Sequence, residues 1–394
     1  MTVLAVISTH PIQYHAPVYR SLQQRFGIPT TAIYGSDCSV AGYHDPGFNA
    51  HFSWDTDLLT GYTPLFLSRT QEGGPAMGLP EALRTVAPSA VLLTGYSPRF
   101  HQRAFYHAWK LGRPILFRGE TNDRVGARNR WKSRVRRMAL QAFYERCSRL
   151  LYVGQCSHQH FKDLQCPEDK LVFSPYCVDN STFESSDADR VRLRVDSRET
   201  MGLRDSQIVL LLSGKLIARK FPDGLLGAVK ALRSRRTEDF VVVFLGDGEM
   251  ADDLKRLAPA APGIEVRFLG FQNQTRLSRY YHAADLLVLP SLEETWGLVV
   301  NEALVHGLPA VVSDRVGCGP DLIQPGLTGE VFETGSVASL AAAIERALAL
   351  IRRPEIRIEC RKTADEYSVE KAASGIAAAY RAVTSGPGTL WPAA

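Results

Sequence analysis

The sequence predicts an α/β protein of two domains, each built on a parallel sheet with helices on both faces. Short apolar runs alternate with helical patterns along the whole chain. The runs are apolar on both faces, as strands are when helices cover both sides of a parallel sheet. The chain has 394 residues, which is more than one hydrophobic core usually organises.

The elements follow one another regularly from the amino-terminal end. The predicted strands of the first half are 3–8, 31–34, 90–94, 114–117, 150–153 and 171–173. Those of the second half are 208–213, 240–245, 264–268, 285–289 and 310–313. From residue 336 to about residue 384 the pattern is helical, and a loose tail rich in Gly, Pro and Ala follows.

A polar stretch without apolar periodicity separates the two halves between Ser174 and Gly202. We place the domain boundary within it, which gives a first Rossmann-like domain over 1–185 and a second over 186–370. Residues 371–394 are predicted to form a carboxyl-terminal helix and tail, which can pack back on the first domain. Open α/β sheets bind ligands beyond the carboxyl ends of their strands, so the loops there form the candidate site.

Composition and charge exclude several classes of protein. The chain is 45% hydrophobic and 22% charged, which argues against a disordered chain, a coiled coil or a collagen. Its formal charge of +5 is too small for histone-like coating of nucleic acid and is compatible with an anionic ligand. The seven cysteines are scattered without CxxC spacing, and neither a signal-peptide pattern nor an apolar run of about 18 residues is found. We therefore expect reduced thiols and a cytoplasmic protein.

The most specific motif is the stretch 289–304, in which a buried strand ends at Pro290 and Gly297 opens a helix. Backbone N–H groups at such a helix start suit a phosphate. Glu294 lies in the loop and Glu302 inside the helix, and carboxylates accept hydrogen bonds from sugar hydroxyls. On spacing alone, two ordinary surface glutamates are an equal alternative.

A second motif follows the predicted strand 208–213, where Gly214 is followed by Lys215 and then Lys220. Cations at this edge of a sheet would stabilise the charge that develops on a leaving diphosphate. The stretch is not a P-loop, because it lacks the upstream glycine and the Ser or Thr after the lysine. Solvated loop lysines are the alternative.

An ordered set of motifs in the second half carries a family resemblance. Gly-Lys-Leu at 214–216, Leu-Gly-Asp-Gly at 245–248 and Phe-Leu-Gly-Phe at 268–271 precede the pair Glu294 and Glu302. Together they resemble the retaining, nucleotide-sugar-dependent glycosyltransferases of family four. The resemblance implies the α/β GT-B fold, in which two Rossmann-like parallel-sheet domains face each other across a cleft. It also implies a metal-independent hexosyltransferase that needs no cofactor beyond its donor. Family frequency favours UDP, and the acceptor is a hydroxyl or amine of a small molecule or glycan.

The resemblance assigns donor-side roles to residues of the second domain. Glu302 would hold the ribose hydroxyls, Glu294 would face the donor sugar, and Lys215 and Lys220 would clamp the diphosphate. The family usually has Arg in place of Lys215, and lysine keeps the charge without the bidentate geometry. The remaining donor contacts would come from Gly214, Phe271, Thr295, Trp296, Gly297 and Leu298.

The first half departs from the family pattern. Its first strand runs into a loop with His10, Gln13 and His15, which we expect on the acceptor side, although a structural loop histidine is an equal alternative. The histidine that the family places after a later strand is replaced by the stretch 117–121. Glu120, as a candidate catalytic residue, or Arg118, on the acceptor side, would occupy that space.

A basic segment over 124–149 leaves three interpretations open. It carries helical apolar spacing with a single acid. It can contact the inner membrane face or a lipid-linked acceptor, attract an anionic acceptor from solution, or be a solvated face. Nucleic-acid binding is not expected, since no aromatic stacking pattern accompanies the charge.

Two other function classes remain as alternatives. An epimerase or hydrolase of the same fold would consume a nucleotide sugar without an acceptor. A non-catalytic protein would bind the sugar nucleotide without turnover. Two DxD triplets, at 55–57 and 187–189, spell the metal clamp of a different glycosyltransferase fold, but neither follows a buried strand, and we expect no metal.

Overall fold

The computed structural model describes residues 2–45, 50–68, 77–121, 130–180, 183 and 187–385. The chain folds into two compact units. The first comprises Met1–Tyr43, Phe52–Cys177 and Ser368–Ala394, and the second comprises His44–His51 and Val178–Tyr367. The main segment of the first unit thus ends at Cys177, within the polar stretch that the sequence analysis singled out. The first unit also includes the last helix of the chain.

The first unit is built on a seven-stranded sheet in which every neighbouring pair is parallel. Its strands lie in the order β5-β2-β1-β6-β7-β8-β9. They are β1 (Leu4–Ser8), β2 (Thr30–Tyr34), β5 (Thr63–Phe66), β6 (Ala90–Leu93), β7 (Ile115–Gly119), β8 (Arg149–Tyr152) and β9 (Leu171–Phe173). Two short strands, β3 (Tyr43–Asp45) and β4 (Ala50–Phe52), pair separately.

The second unit is built on a six-stranded, fully parallel sheet in the order β12-β11-β10-β13-β14-β15. Its strands are β10 (Ile208–Ser213), β11 (Phe240–Leu245), β12 (Ile264–Phe268), β13 (Leu286–Leu289), β14 (Ala310–Ser313) and β15 (Gly329–Phe332). The prediction of an α/β protein with two parallel sheets is confirmed.

Most of the helices lie between consecutive strands of a parallel sheet, where crossover connections are required. In the first unit they are α1 (Ala16–Gln24), α2 (Cys38–Ala41), α3 (Leu79–Val86), α4 (Arg99–Lys110), α5 (Arg130–Glu145), α6 (Gln155–Asp163) and α15 (Val369–Thr384). In the second unit they are α7 (Asp187–Thr200), α8 (Pro222–Arg233), α9 (Ala251–Leu257), α10 (Gln274–Ala283), α11 (Leu298–Val305), α12 (Gly319–Leu322), α13 (Val337–Leu350) and α14 (Pro354–Asp365).

The last helix, α15, completes the core of the first unit. Its apolar face includes Ile376 and Tyr380, which are buried in one cluster with residues of β1 and β6. Gly375 allows close packing, because a Cβ there would lie 2.0 Å from the carbonyl oxygen of Phe173 in β9. The Oγ of Ser174 also donates to the carbonyl of Ala372 at 2.9 Å.

The strand order determines where loops can form a binding site. In the second sheet, β11 and β12 lie on one side of β10, whereas β13 and the strands after it lie on the other. The chain therefore leaves β10 and β13 in opposite directions, and the loops that follow them separate at this point. Ligands of open α/β sheets bind at such a switch point. The first sheet has the same arrangement at β1 and β6.

Candidate functional site

The loop after β10 is built around glycines that no other residue can replace without strain. Gly214 has a φ of 137° and its N–H donates to the carbonyl of Leu245 at 2.9 Å. At Gly246, with a φ of 150°, a Cβ would lie 2.0 Å from the carbonyl oxygen of Gly214. Only glycine tolerates both the backbone conformation and this approach. The ends of β10 and β11 are thus held together beneath Lys215.

Lys220 and Glu294 form an ion pair across the switch point. The Nζ of Lys220 donates to Oε2 of Glu294, and the two side chains are only 15% and 13% exposed. The Oγ of Ser291 lies 3.5 Å from the same oxygen. The structure therefore brings together two predicted catalytic residues that are 74 residues apart in the sequence.

Lys215 pairs with a carboxylate that the sequence analysis did not single out. Its Nζ lies 2.9 and 3.0 Å from the two carboxylate oxygens of Asp45. Asp45 is the last residue of β3 and belongs to the second compact unit together with the rest of 44–51. The lysine side chain remains 35% exposed. The cation expected to clamp a diphosphate therefore already contacts an anionic group.

Backbone hydrogen bonds fix the loop that carries Glu294. The N–H of Leu292 donates to the carbonyl of Arg219 at 2.8 Å, and Nη1 of Arg219 donates to the carbonyl of Glu293 at 2.9 Å. On its other side, the carbonyl of Glu294 accepts from Gly317 at 3.0 Å. Glu294 is thus held between the loops that follow β10 and β14.

At the start of α11, a glycine with a positive φ follows a buried tryptophan. Gly297 has a φ of 106°, and a Cβ there would lie 3.0 Å from Cδ2 of Leu289. The indole of Trp296 is buried, and its Nε1 donates to Oδ1 of Asn301 at 2.9 Å. Leu298 is the first residue of the helix. Trp296 therefore positions the turn by packing, while the contribution of Gly297 and Leu298 to a donor would be their backbone.

Glu302 is a buried carboxylate with two side-chain donors. The hydroxyl of Tyr281 donates to its Oε2 at 2.5 Å, and Nε2 of Gln274 donates to its Oε1 at 3.4 Å. Both donors lie on α10, whereas Glu302 lies on α11. A carboxylate oxygen accepts more than one hydrogen bond, so the arrangement is compatible with the predicted contact to ribose hydroxyls.

His306 supports Glu302 from the end of the same helix. Its Nδ1 lies 2.7 Å from the carbonyl oxygen of Glu302 and its Nε2 lies 3.0 Å from Oγ of Ser278. The ring stacks on Tyr281 with centroids 5.0 Å apart. Burial lowers the pKa of His306 from 6.5 to about 3, so the imidazole stays neutral in the folded chain near neutral pH.

Acid is expected to destabilise the second unit through His306. The unfolded chain binds a proton at this histidine below about pH 6.5, whereas the folded chain does not until about pH 3. Titration of this histidine therefore leaves the free energy of unfolding unchanged above about pH 6.5 and lowers it as the pH falls below that value. From about pH 7 to about pH 5 the loss amounts to roughly 2 kcal/mol.

Urea unfolding at these two pH values measures the effect. The variant His306→Gln should lose less stability on acidification than the parent chain. His158→Gln, at a position in α6 whose side chain is 28% exposed, serves as the control and should lose as much as the parent. Equal losses in all three chains would exclude His306 as a source of the acid sensitivity.

Two further predicted donor contacts lie near this network. Phe271 follows Gly270, which pairs with Gly246 in an isolated bridge beyond the ends of β11 and β12. Thr295 lies in the loop between Glu294 and Trp296, and both Phe271 and Thr295 are half-buried. Their contacts with a nucleotide or sugar stay predictions.

The predicted residues of the first unit lie on the loop after β1, within β7 (Arg118) and directly after β7 (Glu120). His10 and Gln13 are half-buried, and Nδ1 of His10 lies 3.0 Å from Oγ1 of Thr9. Nδ1 of His15 is enclosed and has no hydrogen-bond partner among the described residues. Burial lowers the pKa of His15 to about 3. A neutral, enclosed imidazole suits packing, and its predicted role toward an acceptor stays open.

Arg118 has a structural environment in the first unit. Its guanidinium is buried and donates to Oγ of Ser174 at 3.0 Å and to the carbonyl of Pro175 at 2.5 Å. Its cationic carbon lies 5.0 Å from the centroid of the Tyr176 ring. Glu120 follows β7 directly and is half-buried. Of Arg118 and Glu120, only Glu120 therefore lies beyond the end of the strand.

Several contacting residues were missed from sequence. Asp45 is 170 residues from Lys215, and its strand is too short to show a pattern. Tyr281 and Gln274 lie on α10, where a buried tyrosine is expected to belong to the core. Only a search for polar partners of Glu302 on the neighbouring helix would have found them.

The described residues contain no group of three or more His, Cys, Asp or Glu side chains that could hold a metal ion. In the DxD triplet at 55–57, Oδ1 of Asp57 accepts hydrogen bonds from the backbone of its own loop at 3.1 Å. Within the same described residues, every helix is too short or too polar to span a bilayer.

Comparison with known proteins finds similarity to glycosyltransferases that includes most of the second unit. Residues 194–366 match the family model described as Glycosyl transferases group 1. A D-inositol 3-phosphate glycosyltransferase of Geodermatophilus obscurus is 34% identical over 226 residues, covering 55% of this chain and 48% of that protein. The alpha-D-kanosaminyltransferase of Streptomyces kanamyceticus is 32% identical over 241 residues, covering 59% of this chain and 60% of that protein. The matched stretch spans about half the length of these curated relatives.

Solved structures match over nearly the whole chain. A sucrose-phosphate synthase from Thermosynechococcus elongatus has a TM-score of 0.72 at 16% identity, covering 98% of this chain and 100% of that chain. Anabaena HepE in complex with UDP has a TM-score of 0.69 at 16% identity, covering 97% and 100%. At such identities the likeness concerns the fold, and it confirms the predicted GT-B fold of two parallel-sheet domains.

Proposed function

Because residues 194–366 match the Glycosyl transferases group 1 model and the chain has a GT-B fold, we propose that this chain transfers a sugar from a nucleotide diphosphate donor with retention of configuration. The observation that carries the proposal is the ion pair of Lys220 and Glu294 at the switch point of the second sheet. The buried carboxylate of Glu302 lies on the helix that follows the same loop. The donor is UDP-linked in this proposal, and the acceptor is a hydroxyl or amine of a small molecule or glycan.

The proposed chemistry needs positive charge where the diphosphate leaves. The acceptor oxygen or nitrogen bonds to the anomeric carbon on the face from which the diphosphate departs, and the sugar–phosphate bond breaks. The proton of the acceptor passes to the leaving diphosphate. Lys215 and Lys220 stabilise the charge that develops there, while Glu294 holds the Nζ of Lys220 and faces the donor sugar. No step in this scheme requires a metal ion.

Two measurements test the proposal. Thermal unfolding with UDP, GDP, dTDP or ADP should show a rise in Tm for one nucleotide, since a ligand at about 100 times its Kd adds roughly 2.7 kcal/mol. The rise should be equal with EDTA and with Mg²⁺. Incubation of the matching nucleotide sugar with candidate acceptors should give a product whose anomeric configuration, read by NMR, equals that of the donor.

The alternatives give different results in the same assays. Donor consumption without an acceptor would favour an epimerase or hydrolase. Nucleotide binding without turnover for any acceptor would favour a binding protein. An inverted product would contradict the retaining mechanism, and a Tm rise that needs Mg²⁺ would contradict metal independence.

Replacement of Asp45 by Asn is expected to tighten nucleotide binding. The carboxylate competes with a diphosphate for Lys215, because both of its oxygens lie within 3.0 Å of Nζ. Loss of its negative charge should lower the Kd for UDP by roughly three- to tenfold, where tenfold corresponds to about 1.4 kcal/mol. Isothermal titration calorimetry of the parent chain and of Asp45→Asn measures the difference.

Asp37→Asn is the matched control, since Asp37 lies at the start of α2 and is expected to leave the Kd unchanged. Weaker binding of UDP by Asp45→Asn would contradict competition. It would indicate instead that the carboxylate orients Lys215 for the ligand.

Helix α5 is proposed to contact an anionic membrane surface. Trp131, Val135 and Met138 follow one another at helical spacing and are 71%, 45% and 55% exposed. Lys132 and Arg134 are exposed between them. Apolar side chains interleaved with cations are typical of helices that lie in the headgroup region.

Sedimentation with vesicles tests this contact. The chain should sediment with vesicles of phosphatidylglycerol and phosphatidylcholine and not with phosphatidylcholine alone. Lys132→Glu with Arg134→Glu should abolish sedimentation, whereas Arg235→Glu, in the second unit, should leave it intact. Equal behaviour of both variants would exclude α5 as the contact.

A further inference from the structure

A cavity of about 340 Å³ lies at the edge of the second sheet opposite to the candidate site. Ile208, at the start of β10, and Asp285, directly before β13, lie in its wall. The strands are parallel, so their first residues are at one edge and the loops with Lys220 and Glu294 are at the other. The cavity is therefore separate from the proposed donor site.

The deepest carboxylate of the cavity, Asp285, is already neutralised. Its Oδ2 lies 3.3 Å from Nη1 of Arg198, and its Oδ1 accepts from Nη2 of Arg194. The backbone N–H of Val209 donates to the same carboxylate at 2.8 Å. Two guanidinium groups thus share one buried carboxylate.

The other acids of the wall are also occupied or solvated. Glu238 accepts from Arg236 at 2.5 and 3.2 Å and from Arg352 at 3.3 Å. Asp205 is 98% exposed and lies 3.8 Å from Nε of Arg198. Glu345 also lies 3.8 Å from Nη1 of Arg236. Each of the arginines at 194, 198, 236 and 352 thus has a carboxylate partner.

Arg357 is the arginine of the cavity wall that, among the described residues, lacks a direct hydrogen bond or ion pair. It projects from α14 into the wall of the cavity and makes no hydrogen bond or ion pair with any residue that the structure describes. Burial, followed by the charge of Arg194, lowers the pKa of Arg357 from 12.5, and the carboxylate of Asp285, which two other arginines already share, offsets this only in part. A half-buried cation without a direct carboxylate contact is unfavourable, whereas it would be stabilised by an anion from solution.

We propose that this cavity binds a phosphate group through Arg357, as a site distinct from the donor site. A guanidinium matches two phosphate oxygens with parallel N–H donors, which lysine cannot do. Ser206 and the largely exposed Arg352 lie in the same wall. Asp205 and Glu238, which also line the cavity, would accept hydrogen bonds from hydroxyl groups next to the phosphate. The ligand class is therefore a small phosphorylated polyol, with the phosphate as the recognised group.

Binding of inorganic phosphate, followed by calorimetry on the full chain at constant ionic strength, tests the site. Arg357→Gln should weaken phosphate binding by at least tenfold, while Arg353→Gln, at an exposed position just before α14, should have no effect. Lys220→Ala should also leave this binding event intact, because it alters only the proposed donor site. Loss of the event in Lys220→Ala, or its retention in Arg357→Gln, would overturn the proposal.

Two measurements guard against a variant that merely fails to fold. Without phosphate, Arg357→Gln should be at least as stable as the parent chain, since it removes a half-buried cation that lies near Arg194 and has no direct ion pair, whereas a purely structural arginine would lower Tm when lost. On the parent chain, phenylglyoxal labelling followed by mass spectrometry should show that phosphate protects Arg357 and not Arg353. Equal labelling of Arg357 with and without phosphate would also overturn the proposal.

Discussion

Glu294→Gln is expected to lower the turnover number by roughly 10²- to 10³-fold while nucleotide affinity changes by less than about threefold, as for the loss of one group that stabilises developing charge. The carboxamide keeps the shape of the side chain but no longer forms an ion pair with Lys220. The lysine is then less firmly held at the point where the diphosphate leaves. Steady-state kinetics with the identified donor, and calorimetry with UDP, separate the two quantities.

Glu293→Gln is the matched control for this result. Glu293 is the preceding residue of the same loop, and only its backbone carbonyl takes part in the contact with Arg219. Its replacement should leave both turnover and affinity unchanged. An unchanged turnover number in Glu294→Gln would remove this carboxylate from the proposed reaction, and a large loss of UDP affinity would assign it to ground-state binding instead.

Glu302→Gln should weaken nucleotide binding by roughly 10- to 100-fold, because hydrogen bonds to a charged group contribute about 1.5–3 kcal/mol. The buried carboxylate is held by Tyr281 at 2.5 Å and is proposed to accept from the ribose hydroxyls. The amide can accept through one oxygen only and carries no charge. Calorimetry with UDP measures the loss.

A thermodynamic cycle that combines Glu302→Gln with a UDP analogue lacking the ribose hydroxyls separates loss of the ribose contact from a general disturbance of α11. The parent chain should bind UDP more tightly than an analogue without ribose hydroxyls, and Glu302→Gln should bind the two about equally. Tyr281→Phe provides a milder variant, since it removes one donor to the carboxylate and leaves the charge. If Glu302→Gln still discriminated as strongly as the parent chain, the ribose would lie elsewhere.

The central strands were predictable because they are buried on both faces. All six residues of β10 and of β11 are buried and nearly all are apolar, so each run stands out in the sequence. The strands that were missed lie at edges or are very short. β5 contains Pro64 and is only partly buried, and β15 begins with Gly329 and Glu330. At an edge, polar and breaker residues are tolerated, and the apolar signal disappears.

The candidate site was predictable only in part. Lys220, Glu294 and Glu302 belong to local motifs whose spacing is visible in the sequence, whereas their partners are determined by tertiary structure. Asp45 meets Lys215 across 170 residues, and no local pattern marks it. The environment of Arg118 was equally inaccessible, because its acceptors are the backbone carbonyls of Ser174 and Pro175 and the hydroxyl of Ser174.

The placement of α15 in the first unit has a consequence for the order in which the chain folds during synthesis. When the ribosome has made the chain as far as Tyr367, the second unit is complete, since it consists of His44–His51 and Val178–Tyr367. The first unit, although synthesised earlier, still lacks the helix that covers one side of its sheet. Its apolar surface, which Ile376 and Tyr380 will bury, stays open until translation passes Thr384. The half of the protein that is translated first is therefore the half whose core is completed last.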